Sequence, residues 1–427
     1  MKKIIAMLLA LAMAFGMVAC GGGTAEETQA AAAPADTQAA EAPAEGKKYE
    51  GVELTMWSMW SSGEPQALVI EEAAAAFEAE TGAKVTIEWK GRDINTLLSA
   101  SLEAGEKFDI FEDDYQRIAT TYVDYTYDLT EMAEAAGYAD YSYACFNDQV
   151  VEWAGYLNSI VEQPQIGGVF YDKLAFETAG IEAAPTTWAE FLDVCAKLKE
   201  AGIAPLALDG AYADFTFYHQ LVRHLGEDAL QELAMNGGWS DSAAVTAAQE
   251  VIDFVNAGYL VDGAPDEYPA SQNKVGLGQA AMVVCANYVT AEVDNAVGAI
   301  DWGFFNYPEV EGGVDKSAYA GANSLAITSY TENAQAAFDF IQYIVTGTYG
   351  QKMADSCGQI PADSRLTESV LVGSVDTLKN SNAPMSWCGA TNANSELQQS
   401  FKDAFLGIYE GKYESGEAFC AALDALY

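Results

Sequence analysis

Residues 167–210 read GGVFYDKLAFETAGIEAAPTTWAEFLDVCAKLKEAGIAPLALDG. Pro185 ends what precedes it, Thr187 is placed to cap a helix, and Glu190 stands three residues on, the spacing of a capping box. Phe191, Val194, Cys195, Leu198 and Ala201 recur at i, i+3, i+4, i+7 and i+10, which makes one apolar stripe. Gly202 closes the helix, because glycine takes the left-handed C′ conformation without a Cβ penalty. Ile203 to Leu208 then reads as a short buried strand.

Three phrases in this stretch go further than periodicity. They are Y-D-K-x-x-F-x-x-x-G-I from Tyr171, P-x-T-W-x-E-F from Pro185, and K-L-K-x-x-G-I-x-P-L-A from Lys197. In order and spacing the chain resembles the solute-binding proteins of carbohydrate ABC importers, the maltodextrin-binding type, from about Val52 to the C-terminus. The resemblance implies a two-lobed α/β fold, each lobe a mostly parallel sheet flanked by helices, with a ligand cleft at the hinge. It also implies capture of a saccharide, expected to be a neutral oligosaccharide, and its delivery to importer permease subunits by a monomer.

Upstream of this stretch, Val52, Leu54 and Met56 alternate as a strand, and Val69, Ala73, Ala76 and Phe77 share a helical face that stops at Gly82. Val85, Ile87 and Trp89 alternate again, Ile94 to Leu102 is helical to Gly105, and Phe108 to Phe111 reads as a buried strand. Strand–helix–strand–helix–strand is the pattern of a parallel sheet, whose ligands bind beyond the carboxyl ends of strands. That puts Trp60 and Ser61 after the first strand and Glu112, Asp113 and Asp114 after the third, at one rim. Asp124 to Gly155 is acidic and aromatic, with helical pieces.

Downstream, Leu206 to Tyr218 reads as a strand followed by a polar, aromatic loop that carries Tyr212 and Asp214. Gly276-x-Gly278-x-x-Ala281 mimics a dinucleotide fingerprint, but Met282 to Cys285 after it looks like a strand, so the cofactor reading fails. Instead G-Q-A-A-M resembles the family's segment before a loop with an aromatic ligand contact, here Tyr288, where relatives commonly have Trp. By the same resemblance the chain crosses between lobes near Ile160 to Gly168 and again from Ser317 to Thr328. Residues 50–165 plus 322–375 would form the first lobe, and 166–321 plus 376–427 the second.

At the N-terminus, Lys2 and Lys3 precede an apolar run, Ile4 to Val18, shorter than the ~20 residues of a spanning helix. Met17-Val18-Ala19-Cys20 resembles a bacterial lipobox, which implies a signal peptide over 1–19 and a lipidated Cys20 holding the protein on the extracytoplasmic face of the cell membrane. Residues 20–49 have the composition of a disordered tether, with folded structure beginning near Gly51.

With 63 acidic and 20 basic residues the 427-residue chain carries a net charge of −43. Phosphate neutralisation needs clustered Lys and Arg, so nucleic-acid binding is excluded and an anionic ligand is disfavoured. Only two histidines occur, His219 and His224, and their spacing of five does not put both on one helical face. No GxSxG or GxxxxGK[ST] is present, and no EF-hand spacing surrounds Glu112 to Asp114, so no enzyme, metal or cofactor is expected. Six cysteines besides Cys20 are not closely spaced, and Cys195 and Cys285 sit in apolar patterns.

Eight Trp and 23 Tyr, several outside apolar stripes, are the informative residues. A pyranose offers apolar C–H faces to rings and hydroxyls to carboxylates and amides, so a sugar cleft needs both kinds. Trp60, Tyr212, Tyr288 and Trp387 are the stacking candidates. Ser61, Asp113, Asp114, Asp214, Asn287 and Asn323 are the polar ones. Trp188 and Trp239, at helix starts, are expected in the core. The alternatives are a non-sugar solute such as a polyol or glycerophosphodiester, and a surface glycan-degrading enzyme.

Overall fold

A computed structural model of the chain divides into two units, Met1–Gly46 and Lys47–Tyr427, and describes residues 46–369, 371–381 and 385–427. The signal peptide, Cys20 and nearly all of the expected tether lie outside the described residues. Folded structure begins earlier than Gly51. The Tyr49 ring packs 6.3 Å from Phe77, and its hydroxyl and Lys48 both reach the Asp339 carboxylate, so these residues belong to the fold and not to a tether.

Eight strands form one mixed sheet in the order β2-β1-β3-β8-β4-β6-β5, with β7 on the far half of β4. They are β1 (Glu53–Ser58), β2 (Lys84–Trp89), β3 (Ile110–Asp114), β4 (Ile160–Asp172), β5 (Ala204–Ala207), β6 (Ala280–Ala286), β7 (Trp302–Phe305) and β8 (Ala320–Ile327). Within each lobe the strands joined by helices run parallel: β1 with β2 and β3, and β5 with β6. Helices α1 (Pro65–Thr81) and α2 (Ile94–Ala104) make the crossovers of the first lobe. The antiparallel partners are the two crossing strands. β8 lies between β3 and β4, and β4 pairs with β8 through Ile166 and with β6 from Gly167.

The opening stretch sits at that handover. A Cβ on Gly167 would fall 2.8 Å from both the Phe215 and the Tyr319 rings, and one on Gly168 2.8 Å from the Phe305 carbonyl. Two glycines therefore let aromatic rings and a neighbouring strand close directly onto β4. The helix Trp188–Glu200 has the full capping box: the Thr187 hydroxyl accepts from Glu190 N, and the Glu190 carboxylate accepts from Thr187 N. Gly202 has φ +80°, the left-handed conformation its position requires. Phe191, Val194, Cys195 and Leu198 are buried against Leu206, Phe215 and Phe254, and Trp188 and Trp239 are core residues as expected.

Two expected loops are helices. The helix Ala213–Leu225 starts straight after Tyr212, and every residue from Ala213 to Arg223 is buried. Its polar residues, among them Asp214, His219, Gln220 and Arg223, are buried along with its apolar ones, so the polar and aromatic mixture at its start reads in the sequence as a loop. Tyr288 likewise opens the helix Tyr288–Val297. The glycine pattern at 276–281 leads into β6, not from a strand into a helix.

Candidate functional site

Glu112, Asp113 and Asp114 lie within β3 and not after it. Strand alternation therefore separates them, with successive side chains on opposite faces. Asp113 is 2% exposed, and its carboxylate takes the Arg117 guanidinium at 2.9 and 3.2 Å, an i,i+4 pair with α3 (Tyr115–Thr120). Burial raises its pKa while Arg117 opposes the rise. Asp114, on the other face, caps α3 by accepting from Arg117 N at 3.0 Å. The two neighbours thus do different work.

Trp60 and Ser61 follow β1 as expected, but the Trp60 ring is 5% exposed and covered by the Arg92 guanidinium at 4.7 Å. Ser61 is exposed, and its backbone N–H donates to Glu64. Below this loop Glu112 accepts from Ser58 Oγ at 2.8 Å and Met59 N at 3.2 Å. Glu162 faces it from β4, at the position where pairing with β8 slips, between Val161 and Gln163. Burial pushes the Glu112 carboxyl up to about 7 and that of Glu162 well above the carboxylate range. Two buried carboxyls side by side cannot both ionise cheaply, so this pair holds a proton at neutral pH.

The bulge at Glu162 sets the register of the strand beyond it. Gln163 and Gln165 come up half-exposed between buried neighbours. On β8 the matching positions are Asn323 and Gly321, and Tyr319 stands just before the strand, its carbonyl accepting from Gly167 N. Asn323 Nδ2 donates to Gln163 Oε1 at 2.8 Å, and Asn323 pairs across β3 with Asp114. A Cβ on Gly321 would lie 3.0 Å from the Tyr319 hydroxyl and 3.5 Å from Gln165 Oε1. The two crossing strands thus present an amide-rich face, Gln163, Gln165 and Asn323, that ends at the Tyr319 hydroxyl.

Second-lobe rings stand beside that face. Phe215 stacks on Trp387 at 4.0 Å, with Tyr319 edge-on to Phe215 at 5.2 Å and to Trp387 at 5.8 Å. Tyr212 meets Trp387 edge-on at 5.8 Å, and its hydroxyl neighbours those of Tyr288 and the Cys285 thiol. Burial holds both phenols protonated, far above the ordinary tyrosine value, so they are hydrogen-bonding groups and not titrating ones here. Asn287 is a clamp: its Oδ1 accepts from Ile166 N at 3.0 Å, and its own N donates to Ile166 O at 2.9 Å. Asp214 is buried; it accepts from Phe215 N at 2.8 Å and has the Cys388 thiol and Lys402 as its neighbours.

The structure therefore brings together Tyr212, Tyr288 and Trp387, and separately Asn323 and Asp114, while Asp214 is buried against the Cys388 thiol. Trp60 and Asp113 are turned away into packed surroundings. Sequence reasoning missed Gln163, Gln165 and Tyr319. The signal for the two glutamines was present as polar residues two apart between Ile160 and Phe170, and Tyr319 had none of its own.

Among the described residues no group of three or more His, Cys, Asp or Glu gathers to hold a metal ion, and no helix is long and apolar enough to cross a membrane. His219 Nδ1 lies 2.9 Å from Phe215 O, and His224 Nε2 lies 2.7 Å from Glu250, so the histidines do not form a pair. The six described cysteines are free thiols. Surface hollows of about 560 and 670 Å³ flank the Gly180–Thr186 segment and share no residue with the aromatic row.

Residues 60–347 match the family model of bacterial extracellular solute-binding proteins. No curated protein matches the chain. Among solved structures it is similar to a chitin oligosaccharide binding protein, with 20% identity and a TM-score of 0.63 over 88% of this chain and 98% of that one. It is similar also to a probable secreted solute-binding lipoprotein from Streptomyces coelicolor, with 16% identity, TM-score 0.69 and coverages of 88% and 98%. A third is the bacterial solute receptor AcbH, described as having an exclusive preference for β-D-galactopyranose, with 16% identity, TM-score 0.68 and coverages of 89% and 98%. These likenesses bear on the fold, in which a mixed sheet flanked by helices is shared between two lobes. The family model covers two thirds of the sequence, and the chain belongs to the bacterial extracellular solute-binding proteins.

Proposed function

We propose that this protein is the substrate-binding component of an ABC importer, and that it captures a neutral oligosaccharide between its lobes and hands it to the permease subunits. The observation that carries the reading is the juxtaposition of an amide face, Gln163, Gln165 and Asn323, with the rings of Tyr319, Trp387, Tyr212 and Tyr288. Amides serve the hydroxyls of a pyranose and rings serve its C–H faces. Asp114 would add a carboxylate acceptor from the first lobe, Asp214 would steady the chain beside Trp387 through the Cys388 thiol, and Ser61 would stand at the rim. Similar structures, a chitin oligosaccharide binding protein and a receptor with a preference for β-D-galactopyranose, support the same class. As a binder the protein would work as a monomer, without cofactor or turnover.

A saccharide panel tests it. A ligand at a hundredfold excess over Kd stabilises the folded form by roughly 2.7 kcal/mol, so one saccharide class should raise Tm by several degrees. Tyr288→Ala should weaken that sugar by about 1.5–3 kcal/mol, the scale of burying one large side chain, as read by calorimetry. Equal affinities would remove Tyr288 from the site. A response only to a polyol or glycerophosphodiester would overturn the saccharide reading, and release of reducing ends would overturn the binding-only reading.

For location, the lipobox-like Met17-Val18-Ala19-Cys20 supports lipid anchoring on the extracytoplasmic face, where two acyl chains hold a protein stably. Cys20→Ala should release the protein from the membrane fraction, and its retention there would refute the anchor.

A further inference from the structure

One aromatic residue near the row takes no part in the amide face or in the inner ring cluster. Tyr268 is 47% exposed, although its ring sits edge-on to Tyr212 at a centroid distance of 5.8 Å, the spacing at which Tyr212 meets Trp387. The rings thus run outward as Trp387, Tyr212, Tyr268, from half-buried to open. An exposed ring on a loop needs a reason to stay in place, and this loop has one. The buried Asp209 carboxylate accepts from Ser271 N at 2.8 Å and Gln272 N at 3.0 Å, and Gly210 N donates to Asp266 O at 2.7 Å. Gln272 Nε2 donates to Glu292 at 2.9 Å, and the same Glu292 carboxylate lies at the Tyr268 hydroxyl. Glu292 is one turn beyond Tyr288 on the same helix. The loop therefore holds an open aromatic face beside a carboxylate acceptor, in line with the inner rings.

We infer that Tyr268 and Glu292 form an outer subsite for a further neutral sugar unit, and so set the length of oligosaccharide the protein prefers. The inference rests on the saccharide reading of the inner site. A single pyranose against Trp387 and Tyr212 leaves Tyr268 bare, whereas a longer chain running outward along the row reaches it. The ring supplies a surface for a C–H face and Glu292 accepts from a hydroxyl. A uronic acid at this position would meet the Glu292 carboxylate at close range, so the subsite selects neutral units. Because the ring is already fixed, little ordering entropy opposes its contribution.

The experiment is calorimetry of wild type, Tyr268→Ala and Tyr268→Phe with the malto-, xylo- and chito-oligosaccharide series from one to six units. Wild-type affinity for the series that binds should rise with length to a plateau. In Tyr268→Ala the loss for the longest member should exceed the loss for the shortest by about five- to tenfold, with the plateau reached one unit earlier. Tyr268→Phe, which keeps the ring, should restore the wild-type length profile. A loss equal at every length, or no loss at any, with wild type binding normally, would overturn the subsite and leave the saccharide reading standing. Failure of wild type to bind any of the three series would overturn both.

Discussion

Replacing Glu162 by glutamine should change how the stability of this protein depends on pH, and by a calculable amount. In the fold the Glu112 carboxyl is fully buried and faces Glu162, and burial raises it from an ordinary value of 4.5 to about 7. The other groups around the pair are the Arg92 guanidinium, which favours ionisation of Glu112, and the Cys357 thiol beside Glu162. The folded state thus binds more protons than the unfolded chain between pH 4.5 and 7, and stability falls as pH rises through that window. At about 1.4 kcal/mol for each pH unit of displacement, Glu112 alone loses about 3 kcal/mol between those limits. Acid suits this pair.

A glutamine at 162 removes the carboxyl that burial and the neighbouring Glu112 hold well above its ordinary range, and with it that group's response to pH. Glu112 stays buried in the variant, with its bonds from Ser58 and Met59, and keeps a response of its own. The assay is denaturant or thermal unfolding of wild type and Glu162→Gln from about pH 5 to about pH 8, a range that brackets the raised carboxyl. A carboxyl that stays protonated in the fold but ionises in the unfolded chain costs about 1.4 kcal/mol for each pH unit, so the variant should gain on wild type as pH rises, by about 3–4 kcal/mol at the alkaline end, or on the order of 5–10 °C in Tm. Taking the difference between the two proteins cancels the pH response of the other carboxylates. Parallel profiles would refute the argument, since they would mean that Glu162 ionises as readily in the fold as in the unfolded chain.

Two further perturbations have expected outcomes. Gly167→Ala places a methyl group 2.8 Å from the Phe215 and Tyr319 rings, and should cost about 1–3 kcal/mol in unfolding while weakening any ligand held by those rings; an unchanged Tm would show that the rings move aside freely. Raising salt should stabilise the fold, by screening a net charge of −43, yet leave the affinity for a neutral saccharide flat; a steep fall of affinity with ionic strength, measured by calorimetry, would point to a cationic ligand instead.

The parts of the fold that were legible in the sequence are those where local chemistry and tertiary structure agree. Thr187 and Glu190 form their capping box, Gly202 closes the helix, β2 alternates as its apolar residues do, Leu54 and Met56 of β1 are buried, and β3 is buried as its apolar run implies. Burial hid the rest. The helix Ala213–Leu225 buries its polar residues as well as its apolar ones, so the polar, aromatic stretch with Tyr212 and Asp214 reads as a loop. Asp113 and Asp114 read as a rim pair because nothing local shows that β3 runs on through both and turns one toward Arg117. Gln163, Gln165 and Tyr319 were overlooked for a different reason. An amide in an apolar strand has a meaning only when its neighbour is known, and Asn323 is 160 residues away from Gln163.

The crossing strands tie recognition to architecture. β4 and β8 carry the amide face, and they are also the strands through which the two halves of the sheet are joined. Asn287 fastens Ile166 on β4 to the helix that begins with Tyr288, so a second-lobe ring is registered against the floor by two hydrogen bonds. On the other side Asn323 is registered against Asp114 by the β3–β8 pairing. A solute that touches Asn323, Gln163 and Trp387 together therefore contacts both halves through the seam between them. Its binding free energy must differ between any two arrangements of those halves, and only such a difference lets a ligand shift a conformational equilibrium. The buried Glu112–Glu162 pair lies under the same seam, at the slip in register that lifts Gln163 and Gln165 into place. Its protonation and the geometry of the floor are consequently features of one short piece of strand.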